Sequence, residues 1–286
     1  MNGNLVVNKD LGYTSRDIVN IVCKQLGTKK VGHTGTLDPN ATGVLVLCVG
    51  NALKLCEMLT NHDKEYVAGI TLGIETDTLD MDGTVLSTKV VDTDKNKIID
   101  VVNSFKGSYM QEVPKYSAVK VNGKKLYEYA RNNIDVKLPS KMVDINEIEI
   151  IDDIRYGDGK VYFTIKTTVS KGTYIRSLVR DIGLKLGVPS CMNSLVRNRL
   201  GNFNIDDAVS IDDIKNGNFK LISIMDAIPN IQRINVDEKV AFKIKNGVIL
   251  DKFFDGDRAF ILDKNDNLIA IYENYEDKAR VYKMFN

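Results

Sequence analysis

The apolar positions of the chain change period several times, and each change marks an expected element. After a short apolar run and a turn at Gly12, Ile18, Val22 and Leu26 recur every fourth residue. Thr14, with Asp17 three positions on, has the form of a capping box, so a helix is expected to begin there. The stretch GVLVLCVG (43–50) is continuously apolar between glycines, as in a strand buried on both faces, and NALKLCEMLT (51–60) reads as a short helix. EYVAGITLG (65–73) alternates like a half-buried strand. DKNKIIDVVNSFKG (94–107) has helical spacing and a glycine stop, and INEIEIIDDI and KVYFTIKTTVS read as two strands joined at Gly157-Asp158-Gly159. Ile175, Leu178, Val179, Ile182 and Leu186 then mark an amphipathic helix, on which Arg176 and Arg180, four apart, share a face and could reach one anionic group or two neighbouring ones. Beyond Pro229-Asn230 the pattern becomes a series of short strand-like pieces: GVILD, RAFILDK, NLIAIYE and ARVYKMF. A boundary near Arg233 is expected, with a domain over 1–232 and a small β-rich module over 233–286.

Composition adds little to this picture until charge is read locally. The 286 residues are 43% hydrophobic, enough for a large core, and the net charge is only +1. Yet Lys166 to Arg199 holds seven basic residues against Asp181 alone, and Phe105 to Arg131 six against Glu112 and Glu128. Leu72 to Ser104 carries seven acids against three lysines. Such segregation suits either solvated helix faces or a phosphate-binding surface. The four cysteines have no C-x-x-C spacing and read as reduced thiols of a cytosolic protein. No signal-peptide pattern is present, and the longest apolar run is too short to span a bilayer.

Chemistry concentrates in GHTGTLDPNATGVLVLCVG (32–50), which surrounds Asp38 with small polar residues. Pro39 restricts Asp38 to extended backbone, so this is no ordinary helical surface acid. The residues alone leave two readings open: a structural loop in which Asp38 is a turn or cap, or an approach to a functional carboxylate. The glycine spacing fits neither a P-loop nor a dinucleotide fingerprint. His33 and His62 are the only histidines and form no metal-ligand pattern, and no second acid stands near Asp38 for a glycosidase pair.

That stretch, together with KDLGYTS, KEYVAGITLGIETDTLDMDG, VPKYSAVKVNGKKLYEYAR, SKGTYIRSLVRDIG and NSLVRNRLGNF, in this order over residues 5 to 205, closely resembles the motifs of the bacterial tRNA pseudouridine-55 synthases, the TruB family. The resemblance implies an α+β pseudouridine synthase fold: a mixed, mainly antiparallel sheet flanked by helices, an RNA-clasping insertion near 112–145, and a C-terminal PUA-like RNA-binding module. It implies an enzyme that flips uridine 55 of the tRNA T-loop and isomerises it without metal, nucleotide or redox cofactor. Asp38 matches the catalytic aspartate, acting as nucleophile or as base toward a sugar proton; Arg176 matches the arginine paired with it, and Tyr66 the tyrosine that stacks on the base. His33 matches a histidine that holds the T-loop, Lys54 a lysine near the active site, and Leu195 an apolar residue beside the base. Lys124 and Lys125 in the insertion, with Arg180, are expected to meet phosphates, with Tyr116, Tyr127 and Tyr129 interleaved as stacking or packing groups. A cytoplasmic monomer needing no membrane or protein partner is expected. Two departures, Lys9-Asp10 for the usual Lys-Pro and Val113-Pro114 for the usual two prolines, fall on loops. Two other readings share these motifs: a tRNA-folding chaperone without turnover, and a synthase directed at ribosomal RNA.

Overall fold

The computed structural model describes residues 1–285. One large sheet organises most of the first 204 residues, with strands in the order Gly3–Lys9, Ala41–Val49, Ser190–Leu200, Lys64–Leu72, Lys160–Val169, Ser140–Ile150 and Gly107–Glu112. Its pairings are antiparallel except one: Leu195, Val196 and Arg197 run parallel to Ala41, Thr42 and Gly43. The sheet is mixed and mainly antiparallel, as the resemblance implied.

The burial pattern explains the strand sequences. Leu45, Leu47 and Val49 enter one core, while Val44, Val46 and Cys48 enter another on the opposite face. A strand with core on both sides has no polar face, hence the unbroken apolar run. Lys64–Leu72 departs from the half-buried expectation: from Ala68 to Leu72 both faces are buried, because Ser194 Oγ accepts from Gly69 N–H and Asn193 Nδ2 donates to Thr71 Oγ1. Helices Ser15–Leu26, Lys95–Asn103 and Ile175–Leu186 cover the first face through Ile18, Val22, Ile98, Val102, Leu178 and Ile182. Thr14 and Asp17 form the expected capping box.

The segment expected as an insertion near 112–145 leaves the main sheet after Glu112 and rejoins it at Ser140. Ser140–Ile150 belongs to the main sheet, so the excursion spans 113–139 and is closed at its neck where Val113 N–H donates to Pro139 O at 3.0 Å. It carries a two-stranded ribbon, Lys120–Val121 with Lys124–Lys125, and the short helix Leu126–Arg131.

The last segment forms a five-stranded sheet, beginning with Gln232–Asn235, and a helix, Glu238–Lys245, that the strand-like pattern did not reveal. It is not insulated from the rest. Its Phe260, Ile271 and Phe285 lie in the same core as Leu55, Met58, Leu59 and Ile228. Among the described residues, no helix is long and apolar enough to cross a membrane.

Candidate active site

Asp38 sits on the loop between Val31–His33 and Ala41–Val49, and its neighbours in sequence are held by the backbone and side chains around them. Ser15 Oγ accepts from Leu37 N–H at 2.9 Å and donates to Leu37 O at 3.3 Å. Pro39 O accepts from Gly12 N–H at 2.9 Å and from Lys9 Nζ at 3.2 Å. Lys9 is fully buried, and its ammonium also donates to Asp10 O and Tyr13 O at 3.0 and 2.7 Å; burial lowers it to about 8, offset in part by Asp38. Three carbonyls make this ammonium tolerable inside the protein. The backbone around Asp38 is thereby fixed from both sides.

The small residues around Asp38 divide by role. Gly43 has φ of +98°, and a Cβ there would lie 2.3 Å from Arg197 O, so this glycine permits the close parallel strand pair. Thr34 is fully buried and donates to Val46 O. Only Gly35 and Thr36 of this group share the pocket with Asp38, beside the larger Leu37. The density of small residues reflects strand packing as much as access to the carboxylate.

Arg176, on the first turn of helix Ile175–Leu186, supplies the partner. Its Nη2 makes an ion pair with Asp38 Oδ2 at 2.9 Å and donates to Tyr116 O at 3.1 Å. Its Nη1 donates to Thr78 O at 3.1 Å and faces Asp80 Oδ2 at 3.8 Å. The arginine side chain is 9% exposed and that of Asp38 is 42% exposed, so a buried cation holds a carboxylate that opens to solvent. Oδ1 of Asp38 takes no protein hydrogen bond among the described residues and is free for chemistry.

Both residues line a pocket of about 320 Å³, with Tyr66 and Leu195 in its walls. Tyr66 and Leu195 lie on the adjacent strands Lys64–Leu72 and Ser190–Leu200 and are 7% and 8% exposed. The sequence-predicted set Asp38, Tyr66, Arg176 and Leu195 thus converges. Lys64 and Arg197, which sequence reasoning missed, line the same pocket. Arg197 donates to Val44 O at 2.7 Å and Gly35 O at 3.3 Å. Lys64 donates to Thr60 O and His62 O at 3.0 and 2.8 Å, and burial lowers it to about 8, assisted by the positive charge of Arg197. Neither stands out in the sequence: Arg197 lies in the polar-rich strand SCMNSLVRNRL and Lys64 opens its strand beside Glu65. A larger cleft, about 680 Å³, lies in the C-terminal segment near Gln232, Asp257, Arg258 and Glu273, and holds none of the predicted residues.

Other predicted residues lie elsewhere. Lys54 does not reach the pocket: it donates to Met284 O at 2.5 Å and lies over the Phe285 ring, tying the segment after Ala41–Val49 to the C-terminal segment. Arg180 does not join Arg176 on one anion, because it pairs with Glu112 at 3.1 Å and Asp181 at 2.8 Å. His33 is half-buried beside the loop; its Nδ1 accepts from Gly35 N–H at 3.3 Å, and burial with Arg16 and Arg197 lowers its pKa. Lys124 is exposed on the insertion ribbon, and Lys125 lies over the Tyr127 ring. Tyr116 donates to Asp77 and Tyr129 to Val121 O, so both brace the insertion. Among the described residues, no group of three or more His, Cys, Asp or Glu side chains is placed to hold a metal ion.

Comparison with known proteins bears on the same region. Residues 24–175 match the TruB family pseudouridylate synthase N-terminal domain, and residues 176–221 the tRNA pseudouridylate synthase B C-terminal domain. The tRNA pseudouridine synthase B of Bacillus anthracis is 42% identical over 286 residues, covering 96% of this chain and 93% of that protein. That of Bacillus subtilis (strain 168) is 40% identical over 297 residues, covering 99% and 96%. A chain of a solved Cbf5-Nop10-Gar1 complex has the same fold, with a TM-score of 0.69 at 23% identity over 99% of this chain and 84% of that one. On the domain matches and on this near-complete alignment with close relatives, the chain belongs to the TruB family of pseudouridylate synthases.

Proposed function

We propose that the protein isomerises uridine 55 in the T-loop of tRNA to pseudouridine, with Asp38 as the catalytic carboxylate. The observation that carries this reading is the free Oδ1 of Asp38, open to a pocket beside a buried arginine that holds Oδ2 at 2.9 Å. The tRNA substrate is supported by the names of the Bacillus relatives. The target base is stacked in folded tRNA and has to be extruded, at a cost of a few kcal/mol recovered in the pocket. Asp38 then starts cleavage of the C1′–N1 bond, either by attack through Oδ1 or by removing a sugar proton. The detached uracil turns within the pocket against Tyr66, C5 bonds to C1′, C5 loses its proton and N1 gains one, so the reaction balances without a co-reactant. Tyr66 is the stacking partner and proton acceptor at C5, and Leu195 closes the other wall. His33 holds the opened T-loop, while Lys124 and Lys125 meet phosphates. Four cysteines free of disulfides suit a reducing cytosol, and the reading takes the protein to act there as a monomer. Incubation with unmodified tRNA transcript, followed by pseudouridine mapping, tests the proposal: modification confined to position 55 is expected, and a transcript left unmodified, or modified only elsewhere, contradicts it.

A further inference from the structure

Gln111 is fully buried at the end of strand Gly107–Glu112, and its amide is fully engaged. Nε2 donates to Tyr109 Oη at 2.7 Å and to Tyr174 O at 3.2 Å, while Oε1 accepts from Tyr174 N–H at 2.8 Å. Tyr174 is the N-cap of helix Ile175–Leu186, and its side chain makes no capping hydrogen bond. Helix starts leave backbone groups that need partners; here a side chain from another strand grips both the N–H and the C=O of the cap residue. The next residue of that strand continues the attachment. Glu112 O accepts from Ser177 Oγ at 2.8 Å and from Arg180 Nη2 at 3.2 Å. Tyr109 Oη donates onward to Asp181 Oδ2 at 3.2 Å, so the network ends on the helix it began by holding.

The gripped residue stands at a decisive place. The Tyr174 ring lines the pocket, with Lys141 Nζ 4.6 Å from its centroid. Two residues on, Arg176 reaches Asp38. A buried glutamine is costly unless its amide is used, and an apolar side chain would serve packing alone. We propose that Gln111 is a positioning residue of the isomerisation: by clamping the backbone at Tyr174 it sets the reach of Arg176 toward Asp38 and the stance of the Tyr174 ring. This rests on the reading that pseudouridine forms at Asp38.

The test uses the full chain and unmodified tRNA transcript, with single-turnover rates at saturating enzyme, tRNA affinity and thermal unfolding measured side by side. Gln111→Met keeps the shape and removes every hydrogen bond; Gln111→Glu keeps an acceptor for Tyr174 N–H but has at most one donor, so it cannot serve both Tyr174 O and Tyr109 Oη. Both variants are expected to slow pseudouridine formation at least ~tenfold, within the cost of a small misplacement of reacting groups, while affinity changes less than about threefold. Combined with Arg176→Lys, Gln111→Met should add little further loss, since both disturb the same guanidinium. A folded Gln111→Met protein working at the wild-type rate overturns the proposal, as does Gln111→Glu at that rate if the methionine variant does not fold. A double variant whose loss is the full product of the single losses also overturns it. Absence of pseudouridine with the wild-type protein is a separate result and refutes the proposed function itself.

Discussion

Arg176 divides one guanidinium among Asp38, Asp80, Thr78 O and Tyr116 O. Lysine keeps the charge but not the planar fork, so Arg176→Lys is expected to slow single-turnover isomerisation roughly 100-fold, the scale of a ~1 Å misplacement. Its affinity for tRNA should stay within about threefold, and a rate near wild type would show that charge alone suffices. Lys64 gives a second prediction at this scale. Its pKa falls from 10.5 in the unfolded chain to about 8 in the fold, through burial first and then the charges of Arg197 and Lys171, with Asp63 opposing. Between these values the unfolded state binds more protons, so stability should rise with pH from about 8 to 10.5. Thermal unfolding across that window should lose this part of the rise in Lys64→Met; an unchanged slope would refute the assignment. The sequence disclosed Asp38, Tyr66 and Arg176 only through their motif, and Lys64, Arg197 and Gln111 not at all. The backbone partners of Arg197 and Gln111 lie far away in the chain, and those of Lys64, Thr60 O and His62 O, are carbonyls close by that any sequence would supply, so none of the three leaves a spacing to read. Arg180 shows the converse: helical spacing placed it on the face of Arg176, but Glu112 and Asp181 decide where its guanidinium goes.

Among the elements, those with strong periodicity were legible. The capping box of Ser15–Leu26, the doubly buried strand Ala41–Val49 and the helix Ile175–Leu186 appear where the pattern put them, because each pattern states how many faces are covered. The C-terminal segment was legible as short strands, but its attachment was not. Phe260, Ile271 and Phe285 enter a core shared with Leu55 and Met58, a relation that no sequence window contains. Phe260 is fully buried, so Phe260→Ala is expected to cost ~3–5 kcal/mol of stability. Deleting the chain after Arg233 should lower the unfolding temperature further and also weaken tRNA binding. A truncated protein with unchanged thermal stability would show that the shared core contributes little.

At the scale of the whole molecule, near-neutral net charge hides two locally basic segments, 105–131 and 166–199. Because phosphate contacts release counterions, tRNA affinity should fall steeply with salt, and charge reversal at Lys124 and Lys125 should weaken binding and flatten that dependence. An unchanged salt slope would mean that these lysines are only solvated. The fold brings the loop of Asp38, the strands of Tyr66 and Leu195 and the helix of Arg176 to one pocket, and the claim that chemistry happens there is tested most directly by Asp38→Asn. This change keeps size and shape but removes the charge and the basic oxygen that either route to glycosidic cleavage requires. With saturating enzyme and unmodified tRNA in a single turnover, the variant should form no pseudouridine while binding tRNA within about tenfold of wild type, ~1.4 kcal/mol. Pseudouridine appearing at a rate near wild type would contradict the account.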